Sequence, residues 1–461
     1  MRCVEGLPLP PPLAEAALKV ARGAKAAGGK AWLVGGAVRD ILSGGAPKDA
    51  DIEVFGLSPA SLRAMLEKSW TVDLVGASFG VFKLRGLDMD VALPRRESKT
   101  APGHKGFQIE GEAGLDLATA AARRDFTVNA IYLDPLTGEL ADPWHGIDDL
   151  SGRILRHVTH HFAEDPLRVL RGMQFAARFR LDPAPETVAL CRTMGPEGLP
   201  PERLFGEWEK LLLKGVSISR GLAFLRATGW VAHYPELAAL IGCRQDPKWH
   251  PEGDVWDHTL LALDAFAAGR TGERYEDLVV GLAVLCHDFG KPATTVFSDG
   301  HLRSKGHDAA GVAPAVSFLK RLTNEERILR DVPPLVAQHM QPFSLWRANA
   351  GDAAIRRLAL KVGRIDRLLR VARADDMGRT PERAGGSSLG EDLRWLARKA
   401  EELRIAAEAP KPLLMGRHLI EMGFKPSPRF GEWLEKCFNA QIDGAFHDLT
   451  GAKEYFRRLA D

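Results

Sequence analysis

Asp49 and Asp51 stand two residues apart at the entrance to an apolar run, 52–55. On a strand, side chains at i and i+2 point to the same face. Two carboxylates set side by side repel unless a proton or a cation neutralises them. A hard divalent cation such as Mg²⁺ takes oxygen ligands of this kind. Asp90, in Asp88-Met89-Asp90 on a later alternating run, completes a candidate three-carboxylate cluster. Two ions held this way activate an attacking hydroxyl and stabilise a leaving pyrophosphate. Taken alone, an Asp-x-Asp pair reads as two surface acids; its neighbours change the reading. Gly35-Gly36 ends a short apolar run just before a helical one, and Arg39 lies one turn in. Glycine lets backbone approach a phosphate, and N–H groups at a helix start bind anions. A glycine pair, an arginine and then Asp-x-Asp suit a triphosphate and its metal. Asp40 reads as the structural partner of a neighbouring arginine.

A second constellation lies downstream. His287-Asp288 follows an apolar helical run, 278–286, with His258 before it and His307, His339 and Asp375 after it. Adjacent His and Asp at a helix end bind one cation or bridge two, with further ligands from other helices. His250, in His250-Pro251-Glu252-Gly253-Asp254, reads as loop structure. Between the two constellations, 164–180 reads as a helix that places Asp165 and Arg168 at i and i+3 on one face. An Asp accepts from an exocyclic amine and an Arg donates to ring acceptors. Arg171, one turn further, joins them. An intrahelical ion pair is the other reading of Asp165 and Arg168.

The elements that must position these residues change character along the chain. Residues 14–27 are Ala-rich and helical, 31–34 read as a strand, and 38–42 start a helix. Strand alternation returns at 51–55, 71–75, 81–85 and 89–93. The stretch 98–114 is rich in Gly, Lys and polar residues and reads as a flexible loop. A helix at 115–122 and a strand at 131–133 follow. From about residue 150 helical spacing takes over, punctuated by prolines, and 380–390 reads as a Gly/Ser-rich linker.

Composition sets outer limits. The chain has 461 residues, 45% hydrophobic and 26% charged, with a net charge of +2. This excludes a protein basic all over but leaves room for a local basic stripe. The five cysteines are scattered, with no CxxC pair, so neither a disulfide framework nor a zinc ribbon is expected. Pro8 to Pro12 stand where a secretory signal would need an apolar run, and 278–286 is too short to span a bilayer. A cytoplasmic protein with no membrane partner is the expectation.

Leu33-Val34-Gly35-Gly36-Ala37-Val38-Arg39-Asp40, followed by Lys48-Asp49-Ala50-Asp51, resembles the class II tRNA nucleotidyltransferase and bacterial poly(A) polymerase family. Arg123-Arg124-Asp125-Phe126-Thr127-Val128-Asn129-Ala130 is similar to its RRD motif. The segment from Asp142-Pro143 to Arg156-His157-Val158 is similar to the approach to its neck, and Glu164-Asp165-Pro166-Leu167-Arg168 to its EDxxR motif. The likeness spans roughly residues 30–210, and four ordered motifs are specific where any single one is not. His258, His287-Asp288 and Asp375 resemble the HD phosphohydrolase pattern over roughly residues 245–380, with His307 and His339 at the places of its second-metal ligands.

The resemblance implies an α+β protein. A small mixed-sheet nucleotidyltransferase head (1–145) is followed by an all-α neck (146–242), an α-helical HD domain (243–385) and a helical tail (386–461). It implies template-independent addition of CCA from CTP and ATP to the 3′ end of tRNA. Asp49, Asp51 and Asp90 would hold Mg²⁺ as catalytic residues. Gly35, Gly36, Arg39, Arg123, Arg124, Asp125, Asp165, Arg168 and Arg171 would bind the nucleotide. Asp165 and Arg168 would read the base, and Asp125 would accept from the ribose 2′-hydroxyl. Arg153, Arg156, Arg178 and Arg180 are candidate RNA phosphate contacts. In the HD domain, His258, His287, Asp288, His307, His339 and Asp375 would hold Ni²⁺, Co²⁺, Mn²⁺ or Fe²⁺ for phosphatase or phosphodiesterase chemistry. Family members that add only CC lack much of the loop that 97–112 forms here, which weighs against that activity. Poly(A) or A addition is the alternative; the mixed charge of 416–461, where poly(A) polymerases carry a basic tail, weighs against it. An RNA-binding regulator with an inactive head is the reading from another class, opposed by the intact Asp49, Asp51 and Asp90.

Overall fold

The computed structural model describes residues 4, 6–75, 81–99, 107–111, 114–379 and 390–460. The chain falls into two compact units, Met1–Glu207 with Arg220–Trp230, and Trp208–Ser219 with Val231–Asp461.

The first unit is built on strands β1 (Lys30–Val34), β2 (Ala50–Phe55), β3 (Val72–Val75), β4 (Val81–Leu84), β5 (Met89–Ala92), β6 (Arg95–Lys99), β7 (Phe107–Gly111), β8 (Tyr132–Leu133) and β9 (Leu140–Ala141). Seven of them form one mixed sheet in the order β3-β4-β5-β2-β1-β8-β9. All pairings in it are antiparallel except β2 with β5. Helices Pro11–Ala26 and Pro59–Glu67 each start on a proline whose missing N–H costs nothing in the first turn. Their Leu13, Val20, Leu62 and Leu66 share one buried cluster with Leu33, Ile52, Val54 and Val91 of the sheet. Each such aliphatic side chain contributes about 1.5–3 kcal/mol by leaving water. Because side chains alternate, burying Ile52 and Val54 on that face turns Asp51 and Glu53 to the other.

Two expectations need correction here. The stretch 98–114 is not simply a loop: β6 and β7 pair antiparallel, from Arg95 against Gly111 to Lys99 against Phe107. The segment between them, with Gly103 to Gly106, lies outside the described residues, as does 380–389. The helix expected over 164–180 runs Leu167–Phe179, after a short 3₁₀ turn at His160–Glu164. Asp165 is extended (φ −125°, ψ 101°), because the ring of Pro166 disfavours helical backbone at the preceding residue. Asp165 and Arg168 therefore do not share a helix face.

In the second unit, helices Val255–Ala268, Arg274–Cys286, Glu326–Gln338 and Ile365–Gly378 pack on one another. Leu278 to Cys286 is buried throughout, as an all-round apolar helix must be. A two-stranded hairpin, Val296–Ser298 with His301–Arg303, turns at Asp299-Gly300, both with positive φ. Helices Arg429–Ile442 and Leu449–Ala460 enclose a small cluster of their own around Phe456. Among the described residues, no helix is long and apolar enough to cross a membrane.

Candidate active sites

In the first unit, the parallel pairing of β2 and β5 sets Asp51 directly opposite Asp90, and the antiparallel pairing with β1 sets it opposite Val34. Asp90 Oδ1 is buried with no hydrogen-bond partner. Burial raises the pKa of Asp51; the nearby charge of Arg124 opposes this, and Asp90, Asp49 and Glu53 raise it further, to about 6. Carboxylates gathered against their own repulsion, one with an orphaned oxygen, fit a divalent cation. Asp49 is exposed just ahead of the strand. Asp49, Asp51 and Asp90 do not close to a set with ligand atoms within 4.8 Å of one another; among the described residues, the sets that do are in the second unit.

Gly35 caps helix Gly36–Leu42 with φ 71° and ψ −135°, a conformation open to glycine. A Cβ there would stand 3.3 Å from Arg124 Nη1 and 3.5 Å from Asp51 Oδ2. The loop end therefore lies against the Asp51 carboxylate. The arginines around it are largely engaged. Buried Arg39 donates to Asp40 Oδ1 (2.7 and 2.9 Å) and to Asn129 Oδ1 (2.7 Å), and lies 4.0 Å from the Phe179 ring. Arg124 bonds Glu53 Oε1 at 2.5 Å, and Tyr132 also approaches Glu53. Arg123 lies 3.6 Å from Glu164.

The next group is tied across long sequence separations. Asp125 Oδ2 accepts from Arg171 Nε (2.9 Å) and Nη2 (2.7 Å), and its Oδ1 from Asn129 and the Phe126 N–H. Burial pushes Asp125 up, but the charge of Arg171 and these hydrogen bonds outweigh it and hold the carboxyl at about 2. Arg168 donates to the carbonyls of His161 and Arg123, both at 2.7 Å. Asp165 accepts from the Leu167 N–H (3.1 Å) and from Arg203 Nη2 (2.8 Å). No Asp165–Arg168 ion pair forms; Arg203, not singled out in the sequence, is the partner instead. Of the candidate RNA contacts, Arg156 pairs with Asp149 and Glu186, and Arg178 bonds Gln174, whereas Arg153 and Arg180 are exposed.

The second unit brings its six expected residues together. His258 and Asp375 come from facing helices, His287 and Asp288 from a helix end, and His307 and His339 from two further helices. Gly290 makes the approach possible, since a Cβ there would lie 2.0 Å from the His307 carbonyl oxygen. The Nδ1 atoms of His287, His307 and His339 lie 2.7–2.8 Å from the carbonyls of Val284, Ser304 and Val336. A carbonyl only accepts, so these Nδ1 atoms carry protons, and each Nε2 faces the other side chains of the centre, where it presents a lone pair whenever the ring is neutral. His307 Nε2 stands 3.2 Å from His339 Nε2, and His287 Nε2 3.3 Å from His258 Nε2. Asp375 Oδ1 lies 3.1 Å from His258 Nε2, and Asp288 Oδ1 3.4 Å from His307 Nε2. Both Asp288 oxygens are buried without a well-aligned hydrogen bond, although Lys291 Nζ is 2.7 Å from one. Burial works against ionisation of Asp288, yet the charges of His287 and Lys291 hold its pKa well below the usual range. Burial, then the charge of His287, lowers His339 to about 4. Converging lone pairs and carboxylates are a donor set for cations.

Sequence reasoning missed Glu252. Its Oε1 joins His250 Nδ1 (2.8 Å) and His258 Nδ1 (2.9 Å), so it orients the His258 ring, and His250 is part of this assembly rather than of an idle loop. The spacing of His250, Glu252 and His258 was visible in the sequence; their convergence was not.

Residues 31–156 match the Poly A polymerase head domain family. The multifunctional CCA protein of Halorhodospira halophila is 37% identical over 414 residues, covering 87% of this chain and 93% of that one. The chain belongs to the multifunctional CCA protein family. A second member, from Nitrosococcus oceani, is 41% identical over 297 residues, 63% of this chain and 70% of its own. The fold is that of CCA-adding enzymes. The Bacillus stearothermophilus enzyme in complex with CTP superposes with a TM-score of 0.66 at 22% identity, covering 98% of this chain and 99% of that one. The Thermotoga maritima enzyme complexed with tRNA gives 0.61 at 16% identity over the full length of both chains. The α+β class expected from the sequence is thus the class observed.

Proposed function

We propose that this family member adds CCA, from CTP and ATP, to the 3′ end of tRNA, and that its second unit is a phosphohydrolase. The observation that carries the transferase reading is Asp51 facing Asp90 across β2 and β5, directly beneath the glycine turn at Gly35. In the reaction the terminal 3′-oxygen bonds to the α-phosphorus, the bond to the β-phosphate bridge breaks, and pyrophosphate leaves. Asp49, Asp51 and Asp90 would hold Mg²⁺, which would supply the charge that activates the hydroxyl and balances the pyrophosphate. Gly35 and Gly36 leave backbone free to approach the triphosphate. Arg39 and Arg124 position: one locks the helix after the turn to Asn129, the other ties Glu53 beside Asp51. We assign base reading to Asp165 and Arg168, held apart from each other by Arg203 and by two carbonyls. Asp125, kept ionised by Arg171, is the acceptor for the ribose 2′-hydroxyl, and Arg123 flanks the phosphates.

The test is extension of a tRNA lacking its 3′ end with each labelled NTP alone and in combination. CTP plus ATP gives three added nucleotides and then a stop. Open-ended A tails on unrelated RNA would replace this reading with poly(A) synthesis.

For the second unit, the facing imidazole nitrogens carry the reading. His258, His287, Asp288, His307, His339 and Asp375 suit Ni²⁺, Co²⁺, Mn²⁺ or Fe²⁺, which would polarise a phosphate ester and activate water. His287→Ala with Asp288→Ala is expected to remove hydrolysis of terminal or cyclic phosphates and to spare nucleotide addition.

A further inference from the structure

Helices Pro11–Ala26 and Pro59–Glu67 cover one face of the sheet with their leucines and valines, so their other faces look outward. Between those outer faces lies a cavity of about 540 Å³, a size within the range of small-molecule sites, about 300–1,000 Å³. A Cβ on Gly23 would stand 2.9 Å from Met65 Sδ, and Lys19 Nζ lies 5.1 Å from the centroid of the Trp70 indole. The two helices therefore run in opposite directions, and the chain just past the second one, Lys68 to Trp70, closes one end of the cavity.

The charge of this cleft is one-sided. Lys19, Arg22 and Lys68 line it, and no lining residue is acidic. Lys19 and Arg22, three apart on one helix, share a face. Glu67, next to Lys68, is taken by Arg63 at 2.7 Å. Among the described residues, Lys19, Arg22 and Lys68 form no ion pair. Single exposed cations are ordinary. Three that converge on one hollow without an acid raise a positive potential, which concave walls focus. Met65 and Trp70, both half-buried, give the cleft an apolar floor. Cations above a thioether and an indole suit an anion that carries a flat apolar part. Exposed Lys19 rests on the indole and is free to leave it for a phosphate. A lone phosphate would leave most of the volume empty. An RNA backbone would need cations spread along a groove rather than gathered in one hollow. A nucleoside triphosphate has both the charge and the base that this lining matches.

The cleft is separate from the site of transfer. Burial of Ile52 and Val54 on the helix side of the sheet puts Asp51 on the opposite side. A nucleotide in the cleft is therefore not the one that reacts. We propose that the cleft is an accessory binding site for a nucleoside triphosphate, with the phosphates on Lys19, Arg22 and Lys68 and the base against Met65 and Trp70.

The experiment is equilibrium dialysis of labelled ATP in EDTA against the full-length chain, as wild type, Arg22→Ala with Lys68→Ala, and Trp70→Leu. Arg22 and Lys68 are exposed, so the double variant should fold and extend tRNA with unchanged kcat and KM. Wild type should bind one equivalent of ATP more than the double variant, whose cleft affinity falls by about tenfold per cation removed. Trp70→Leu keeps the floor apolar but removes the flat ring. It should weaken ATP at this site by about 5-fold or more and leave tripolyphosphate binding unaffected. Equal ATP stoichiometry in wild type and the double variant overturns the proposal. ATP binding indifferent to Trp70→Leu also overturns it, and makes the ligand a bare polyphosphate. A tRNA with a complete 3′ end should not displace the extra equivalent; displacement would reassign the cleft to RNA.

Discussion

Replacing Asp51 by asparagine removes the charge on which transfer is proposed to depend, and the structure says it should also relieve the metal-free protein. Burial and the carboxylates of Asp90, Asp49 and Glu53 raise Asp51 from 3.8 to about 6. The folded state therefore binds a proton more tightly than the unfolded chain between those two values, and stability falls as pH rises through that window. Two pKa units correspond to at most about 3 kcal/mol. The Asp51 side chain is nevertheless exposed to solvent, and screening there reduces the figure to about 1 kcal/mol or less. Near-isosteric asparagine should remove that penalty. The assay is thermal unfolding in EDTA, followed from pH 4 to 8, for wild type and Asp51→Asn. The variant is expected to match wild type near pH 4 and to exceed it by about 1 kcal/mol at pH 7, a few degrees in Tm. Mg²⁺ should stabilise wild type at pH 7 and the variant much less, because only wild type gathers the charge that a cation neutralises. Equal pH slopes in the two proteins, or a variant less stable at pH 7, would refute the view that these carboxylates are held together against repulsion.

Gly35→Ala places a Cβ in a backbone conformation with φ 71° and against both Arg124 and Asp51; a stability loss of about 1–3 kcal/mol and at least tenfold slower transfer are expected by denaturation and single-turnover extension. Asp125→Asn leaves Arg171, which directs two donors at Asp125 Oδ2, without its charged partner and should cost about 3 kcal/mol. Since Asp125 is held at about 2, its contribution is complete above about pH 4 and is lost as pH falls toward 2, so the variant should lack that acid limb. Asp165→Ala should blur the choice among the four NTPs in competitive extension, while its half-exposed ion pair with Arg203 limits the stability change to about 1 kcal/mol; unchanged nucleotide discrimination would remove Asp165 from base reading.

What could be read in advance was whatever spacing alone decides. The alternation of Asp51 to Phe55 was legible as a strand, and burial of Ile52 and Val54 turns Asp51 to the opposite face; Asp49 falls just ahead of the strand, which begins at Ala50, so its place beside Asp51 is not fixed by strand spacing. The His-Asp pair at the end of an apolar helix is likewise a local fact. What could not be read was pairing between distant segments. Arg171 reaches Asp125 across 46 residues, and Arg203 reaches Asp165 across 38; no periodicity encodes either choice. The all-polar β6 carried no apolar alternation, and the short Phe107-Gln108-Ile109-Glu110 alternation of β7 was masked by the glycine- and lysine-rich stretch before it; the two form a separate pair outside the seven-stranded sheet. The helix drawn through Asp165 is different in kind, since Pro166 already forbade it.

These differences explain why both sites emerge from ordinary elements. Asp51 and Asp90 meet because β2 and β5 are parallel neighbours, and parallel neighbours require a crossover rather than a hairpin. The intervening helix Pro59–Glu67 and strands β3 and β4 supply it. Shifting that register by one residue would turn Asp90 to the apolar face and bring Met89 or Val91 toward Asp51. The hydrophobic core under the sheet resists the slip, because Met89 and Val91 would leave it together. The same burial that stabilises the first unit therefore holds two like charges at opposed positions of neighbouring strands, and that enforced proximity is the basis on which a cation site is proposed there.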